Sequence, residues 1–411
     1  MRDVMKFRKF FTIALFATVF VGCGSVKSVF RGKDADARKA QEPADLADFT
    51  PTVKVGKLWA VDLGKGEGRI GVRQRPTVVD GKVYAAAIGG GVLALDLHTG
   101  QVLWKYVPAQ GSNAKDNKKF SKKSMLRLAG GPGVGDGLVV IGTLDGQVIA
   151  LDQNDGTEKW RANVPNEVIA APAVAQNMVF VRSNDGRVTA FEGATGQRRW
   201  FTERESPSLT VRGNAPVIPG TDLLFVGNDD GTISALAMHD GNSLWVQSVA
   251  MPEGRSELER MADVDGVPVL EGNTLYATSY KNETVAIDGA SGRMLWNREH
   301  GGAGGVGVSS NYIVVADNDG TVWGLDKPTG SASWSQPALA RRFLTGVAIQ
   351  GDYAVVGDYK GYLHWLRLSD GALAARERSG SAAIVGQPVV ADNVLLVQSS
   401  NGKLAAFRLM Q

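Results

Sequence analysis

One cysteine, Cys23, occurs in 411 residues. No intramolecular disulfide can form, even in an oxidising compartment, and no cysteine-based zinc site is available. Histidine is scarce too: His98, His239, His300 and His364 are scattered without metal-ligand spacing and are expected at the surface or in turns. Neither sign of charge is in excess. Lys and Arg number 45 against 42 Asp and Glu, and omitting residues 1–22, with four basic residues and one acidic, leaves 41 against 41. Such a body has no electrostatic footprint for nucleic acid. P-loop, G-x-S-x-G and paired-cysteine motifs are missing. The formal G-x-G-x-x-G match at 302–307 runs into a strand-like segment rather than a helix, so it is not a dinucleotide fingerprint.

What is present is repetition. Eight related phrases start near residues 89, 145, 185, 230, 282, 319, 360 and 401, as in DGQVIALDQNDGTEKW at 145–160 and DGTVWGLDKPTGSASW at 319–334. A period of about 40 to 50 residues is the mark of a propeller or solenoid, whose units cannot bury their apolar faces alone. Two further apolar runs precede each phrase, so every repeat supplies four alternating segments separated by Gly, Asn and Asp turns. The expectation is an all-β, eight-bladed β-propeller of four-stranded antiparallel blades. Asp317, Asp319 and Gly320 belong to one of these turns, since the spaced ligands of a calcium loop are lacking.

Tryptophan marks the outer strand of seven repeats, at Trp59, Trp104, Trp160, Trp200, Trp245, Trp296 and Trp334, and is read as packing between blades. The seventh blade has Ala375 instead, and Trp323 and Trp365 lie in third strands, where they are expected to fill space locally. The eighth copy ends at Gln411 without an outer strand, whereas KLWAV at 57–61 is an outer strand without a blade. Pairing the two closes the ring and removes an open edge.

Residues 1–22 read as an export signal: Arg2, Lys6, Arg8 and Lys9 precede an apolar stretch at 10–21 that is short for a membrane span. The stretch ends at Gly22 and Cys23, which resembles the bacterial lipobox. That resemblance implies lipid attachment at Cys23 and, with Gly24 rather than Asp next, sorting to the periplasmic face of the outer membrane. Residues 23–56 are expected to be the lipidated cysteine and a flexible tether, and residues 57–411 the propeller.

The repeat resembles the quinoprotein propeller repeat across 57–409. Dehydrogenases with that repeat imply a pyrroloquinoline-quinone cofactor, a catalytic aspartate, calcium and often a vicinal disulfide. The disulfide is impossible here and the other parts cannot be assembled, so a periplasmic quinone-dependent dehydrogenase is only the alternative reading. No cofactor, metal or catalytic residue is assigned.

Three connections from an outer strand to the next blade are long: 105–128, 201–215 and 246–266. Long loops on a rigid scaffold are where binding residues concentrate. The first carries Lys115, Lys118, Lys119, Lys122, Lys123 and Arg127, read mainly as a solvated loop. SPSLTVRGNAPVI at 206–218 and SELERMADVDGVPV at 256–269 are similar to the BamB family, lipoproteins of the outer-membrane β-barrel assembly machinery. The resemblance implies that Leu209, Val211, Arg212, Asp263 and Asp265 bind a periplasmic POTRA domain of BamA. Val211 stands where the family has leucine. It further implies a non-enzymatic scaffold that works with the other assembly components, supports folding and insertion of outer-membrane proteins and contacts nascent ones. Leu209 and Val211 alternate with Thr210 and can face one way; Arg212 can reach a partner carboxylate or be held by Asp263 or Asp265, locking two loops together. Changing Cys23 to Ala should abolish fatty-acid labelling and move the protein out of the membrane fraction. Label retained on that variant would remove the lipid-anchor reading.

Overall fold

Alternating apolar segments bounded by turn residues form strands when both faces of each sheet can be covered, and a ring of sheets covers both. In a computed structural model, which describes residues 42–68, 70–108, 126–204, 207, 209 and 215–410, the chain divides into two units, Met1–Glu42 and Pro43–Gln411. The second is an eight-bladed propeller, with eight four-stranded antiparallel sheets among the described residues. Blade one runs from axis to rim as Thr77–Val79, Lys82–Ala86, Val92–Asp96 and Val102–Tyr106. The two middle strands are buried almost throughout, whereas the rim strand buries chiefly its tryptophan. This order repeats to blade seven.

Blade eight closes the ring. Val389–Ala391, Val394–Gln398 and Lys403–Met410 are completed by the N-terminal strand β1, Lys54–Asp62, in register from Lys54 opposite Met410 to Asp62 opposite Lys403. The strand starts three residues before the expected position 57.

Each rim tryptophan docks on the following blade. Its indole N–H donates to a backbone carbonyl there, from Trp59 to Leu97 through Trp334 to Leu368, at 2.6–3.1 Å. Its ring lies on a glycine of the turn between the third and fourth strands. At Gly100, φ is +71° and an added Cβ would sit 2.6 Å from the Trp59 indole, so both the conformation and the contact demand glycine. Blade seven has no such target, because the third strand of blade eight ends the chain and its fourth comes from the N-terminus. There the aromatic moves inward. Trp365, fully buried, donates to Gln350 Oε1 at 2.8 Å and meets Phe407 of blade eight edge-on, while Gln350 Nε2 donates to Asn393 O. Trp365 therefore joins two blades rather than filling local space.

All eight rim strands carry a bulge beside the tryptophan position. Trp104 pairs with Ala94 and Val102 with Leu95, which leaves Leu103 unpaired, and the same shift recurs in every blade, including β1 between Lys57 and Trp59.

The second unit contains part of the segment expected to be tether. Ala44 N donates to Ala340 O at 2.9 Å, Arg342 Nη1 to Ala44 O at 2.7 Å, and Arg376 Nη2 to Ala47 O at 2.8 Å, with the Arg376 guanidinium over the Phe49 ring. Thr52 N donates to the bulged Ala374 O of blade seven. Arg342 is itself fixed by two hydrogen bonds to Asp358 Oδ2, which also meets His364 Nε2 at 3.1 Å. His364 is thus fully buried, contrary to the expectation that all four histidines lie at the surface or in turns. A third-strand position facing an ion pair needs a polar ring, and burial lowers its pKa against the pull of Asp358. Deleting residues 24–53 should preserve the ring with a modest loss of stability, whereas deleting 24–62 removes β1 and Trp59 and should lower the Tm much further. Equal melting temperatures for the two would show that β1 does not close the ring.

Candidate functional site

Connections from rim to axis emerge on the same face as the turns between second and third strands. Of the first long connection, residues 109–125 and with them Lys115, Lys118, Lys119, Lys122 and Lys123 lie outside the described residues, while Arg127 faces Asp145 at 3.4 Å on the surface. Cys23, Val211 and Arg212 also lie outside them. Leu209 is 43% exposed.

The connection from blade four to blade five has two parts. Its outer part is a knob. Ser256 caps the short helix α1, Glu257–Arg260, in a reciprocal capping box with Glu259, whose carboxylate also accepts from Arg255 N; these hydrogen bonds hold it below the usual carboxylate range. Lys281 Nζ donates to Glu253 O and ties the knob to blade five. In this part Met251 and Leu258 are 60% and 64% exposed. Exposed apolar side chains on a structured loop form a surface on which a partner can bury area without first ordering the loop.

The inner part, residues 261–265, is buried throughout. Val264 N donates to Asn228 O of blade four and Tyr280 N to Asp263 O, so the segment is laced between two blades. Asp263 is 0% exposed and Asp265 5%. This corrects the expectation that they are exposed contact residues: the alternation of Ala262, Val264 and the two aspartates sits between two turns, where no side chain reaches the surface. Both meet Asp229 of blade four, and one carboxylate oxygen from each of the three lies within 4.8 Å of the others. Asp229 is paired with the buried Arg182 of blade three at 2.6 Å. Burial and the neighbouring Asp263 carboxylate push the Asp265 carboxyl well above its usual range, with Arg182 and Arg73 pulling the other way. The cluster therefore joins blades three, four and five, and Arg204, bonded to Asp230 at 2.6 Å, fixes the start of the 203–217 connection.

Arg182 and Asp229 were not picked out from the sequence. A signal existed. At the last position of the second strand the other blades place Ala86, Gly142, Gly227, Thr278, Ala316, Gly357 and Gln398, and Arg182 is the one charged residue. Asp229 is disguised by the Asn-Asp-Asp-Gly turn in which it stands.

Asp265 also borders the axial cavity, with Arg73, Arg75, Val267, Gly304 and Gln387 on its wall. Its volume is about 50 Å³.

Comparison with known proteins adds to this geometry. The family model described as outer membrane protein assembly factor BamB matches residues 111–336 and 326–409, and one described as the β-propeller domain of glucose/ethanol/alcohol dehydrogenase matches 54–159. The chain is 67% identical over 411 residues to outer membrane protein assembly factor BamB of Xanthomonas campestris pv. campestris, covering 100% of both chains. It is 37% identical to that of Escherichia coli K12, over 97% of this chain and 98% of the relative. The crystal structure of BamB from Moraxella catarrhalis has the same fold, with a TM-score of 0.74 at 24% identity, over 86% of this chain and 100% of that one. A europium-containing methanol dehydrogenase shares the architecture at a TM-score of 0.66 and 16% identity, over 88% and 95%.

Removing one member of a buried ion pair strands the other. Arg182→Met should cost about 3–5 kcal/mol of stability, and adding Asp229→Leu should recover most of it. Denaturant unfolding of the two variants measures this, and a single-variant loss below about 1 kcal/mol would mean that the pair does not hold the blades together.

Proposed function

Because this chain belongs to the family of outer membrane protein assembly factor BamB, we propose that it is a non-enzymatic scaffold of the barrel-assembly machinery, lipid-anchored through Cys23 at the periplasmic face of the outer membrane. It binds the periplasmic POTRA region of BamA and holds it in an arrangement that supports folding and insertion of outer-membrane proteins. The observation that carries the partner reading is the capped knob, on which Met251 and Leu258 are exposed.

In this reading the resemblance-derived residues divide into two roles. Leu209, Val211 and Arg212, together with Met251 and Leu258, meet the partner. Asp263 and Asp265 do not touch it. They position the two loops from beneath, which accounts for a Asp-x-Asp segment lying next to a binding surface while being buried itself. The dehydrogenase alternative is disfavoured by the relatives named as assembly factors, which match over nearly the whole chain.

Calorimetry against the purified periplasmic region of the partner separates these roles. Met251→Ser with Leu258→Ser should weaken binding about tenfold or more, near 1.4 kcal/mol, and leave the Tm unchanged. Arg212→Glu should behave alike. Asp263→Lys with Asp265→Lys should lower both Tm and binding, because two cations replace a buried carboxylate pair. Full affinity in the first two variants would take this patch out of the interface.

A further inference from the structure

We propose that Asp229, Asp263 and Asp265 form a binding site for one hard divalent cation of calcium's size, seated beneath the loops that join blades three, four and five. The proposal goes beyond the partner reading and does not depend on it.

Two independent observations carry it. The first is spacing. One oxygen from each carboxylate lies within 4.8 Å of the others. Three carboxylate oxygens this close can share one ion; magnesium usually keeps several waters and takes one or two carboxylates, whereas calcium accepts a larger set of protein oxygens at about 2.3–2.6 Å, so three buried carboxylates favour calcium. The second is the state of the oxygens themselves. Both oxygens of Asp265 are buried and accept no hydrogen bond from the described residues. Native proteins seldom leave such acceptors empty, and a bound cation or ordered water is the usual remedy.

The charges point to the cation. Asp229 is answered by Arg182 through Oδ1 at 2.6 Å, and Asp263 has a further interaction of its own. Among the described residues Asp265 has no hydrogen-bond or ion-pair partner, and Arg73, whose Nη1 donates to Ala303 O, acts on it through its field. A cation touching all three carboxylates would satisfy the orphaned oxygens and draw the 261–265 segment onto the turn that carries Asp229. Oxygen-only donors select a hard ion over zinc or copper. Backbone carbonyls or water would complete the shell.

The test uses the purified full chain, stripped with EGTA and titrated with CaCl₂ by calorimetry, with thermal unfolding recorded with and without the ion. The proposal expects one Ca²⁺ per chain, a Tm that rises and saturates with CaCl₂, and weaker binding of MgCl₂. Asp265→Asn, which keeps the shape, should lower calcium affinity by about tenfold or more and abolish the Tm rise. The wild-type Tm comparison requires no variant to fold. Absence of heat and of any Tm shift in the stripped wild type would overturn the proposal. So would a calcium effect undiminished in Asp265→Asn, which would place the ion elsewhere, or an Asp265→Asn chain more stable than wild type whether or not calcium is present, which would mean that the position holds a proton.

Discussion

The indole of each rim tryptophan reaches across a blade boundary to a carbonyl and a left-handed glycine, and the ring depends on this contact. Sheet-on-sheet packing alone is non-directional: eight similar apolar faces could slide past one another or close with another number of blades. A hydrogen bond from Trp160 to Gly193 O, over a turn where no side chain fits, fixes the offset between neighbours. The exception supports this account. Where the turn is lost to the chain ends, the docking tryptophan is lost too, and Trp365 with Gln350 takes over the boundary by a different route.

Most of the fold was legible because its signals are local. A glycine turn, an alternating strand and a tryptophan fall within sixteen residues, and eight copies leave little freedom in counting blades. The closure by β1 could be read from two incomplete ends. What could not be read was burial created by residues distant in sequence. Asp263 and Asp265 stand in a long loop with the composition of a surface, and only the turns at Asn228 and Tyr280 enclose them. His364 resembled an ordinary alternate residue until Asp358 and Arg342 were placed around it. The docked part of the tether was hidden for the same reason: its partners are Arg342 and Arg376, some 300 residues away.

The two long loops divide their labour along their length. Leu209, Met251 and Leu258 are exposed, and the bases are bonded to the propeller by Arg204, by the backbone of Asp263 and by the carboxylate cluster. Rigid bases lower the ordering cost of association, so modest tips can suffice for binding.

The rim bulges have a consequence for solubility. An uninterrupted outer strand is a template for any unpaired β-segment, and eight of them on one molecule would invite aggregation. The extra residue before each tryptophan breaks the row of amides and twists the strand, so an incoming segment finds only a few consecutive groups in register. In blade seven even the bulged carbonyl, at Ala374, is occupied by Thr52 N. The molecule can therefore present much β-structure at high local concentration without its perimeter nucleating a fibre.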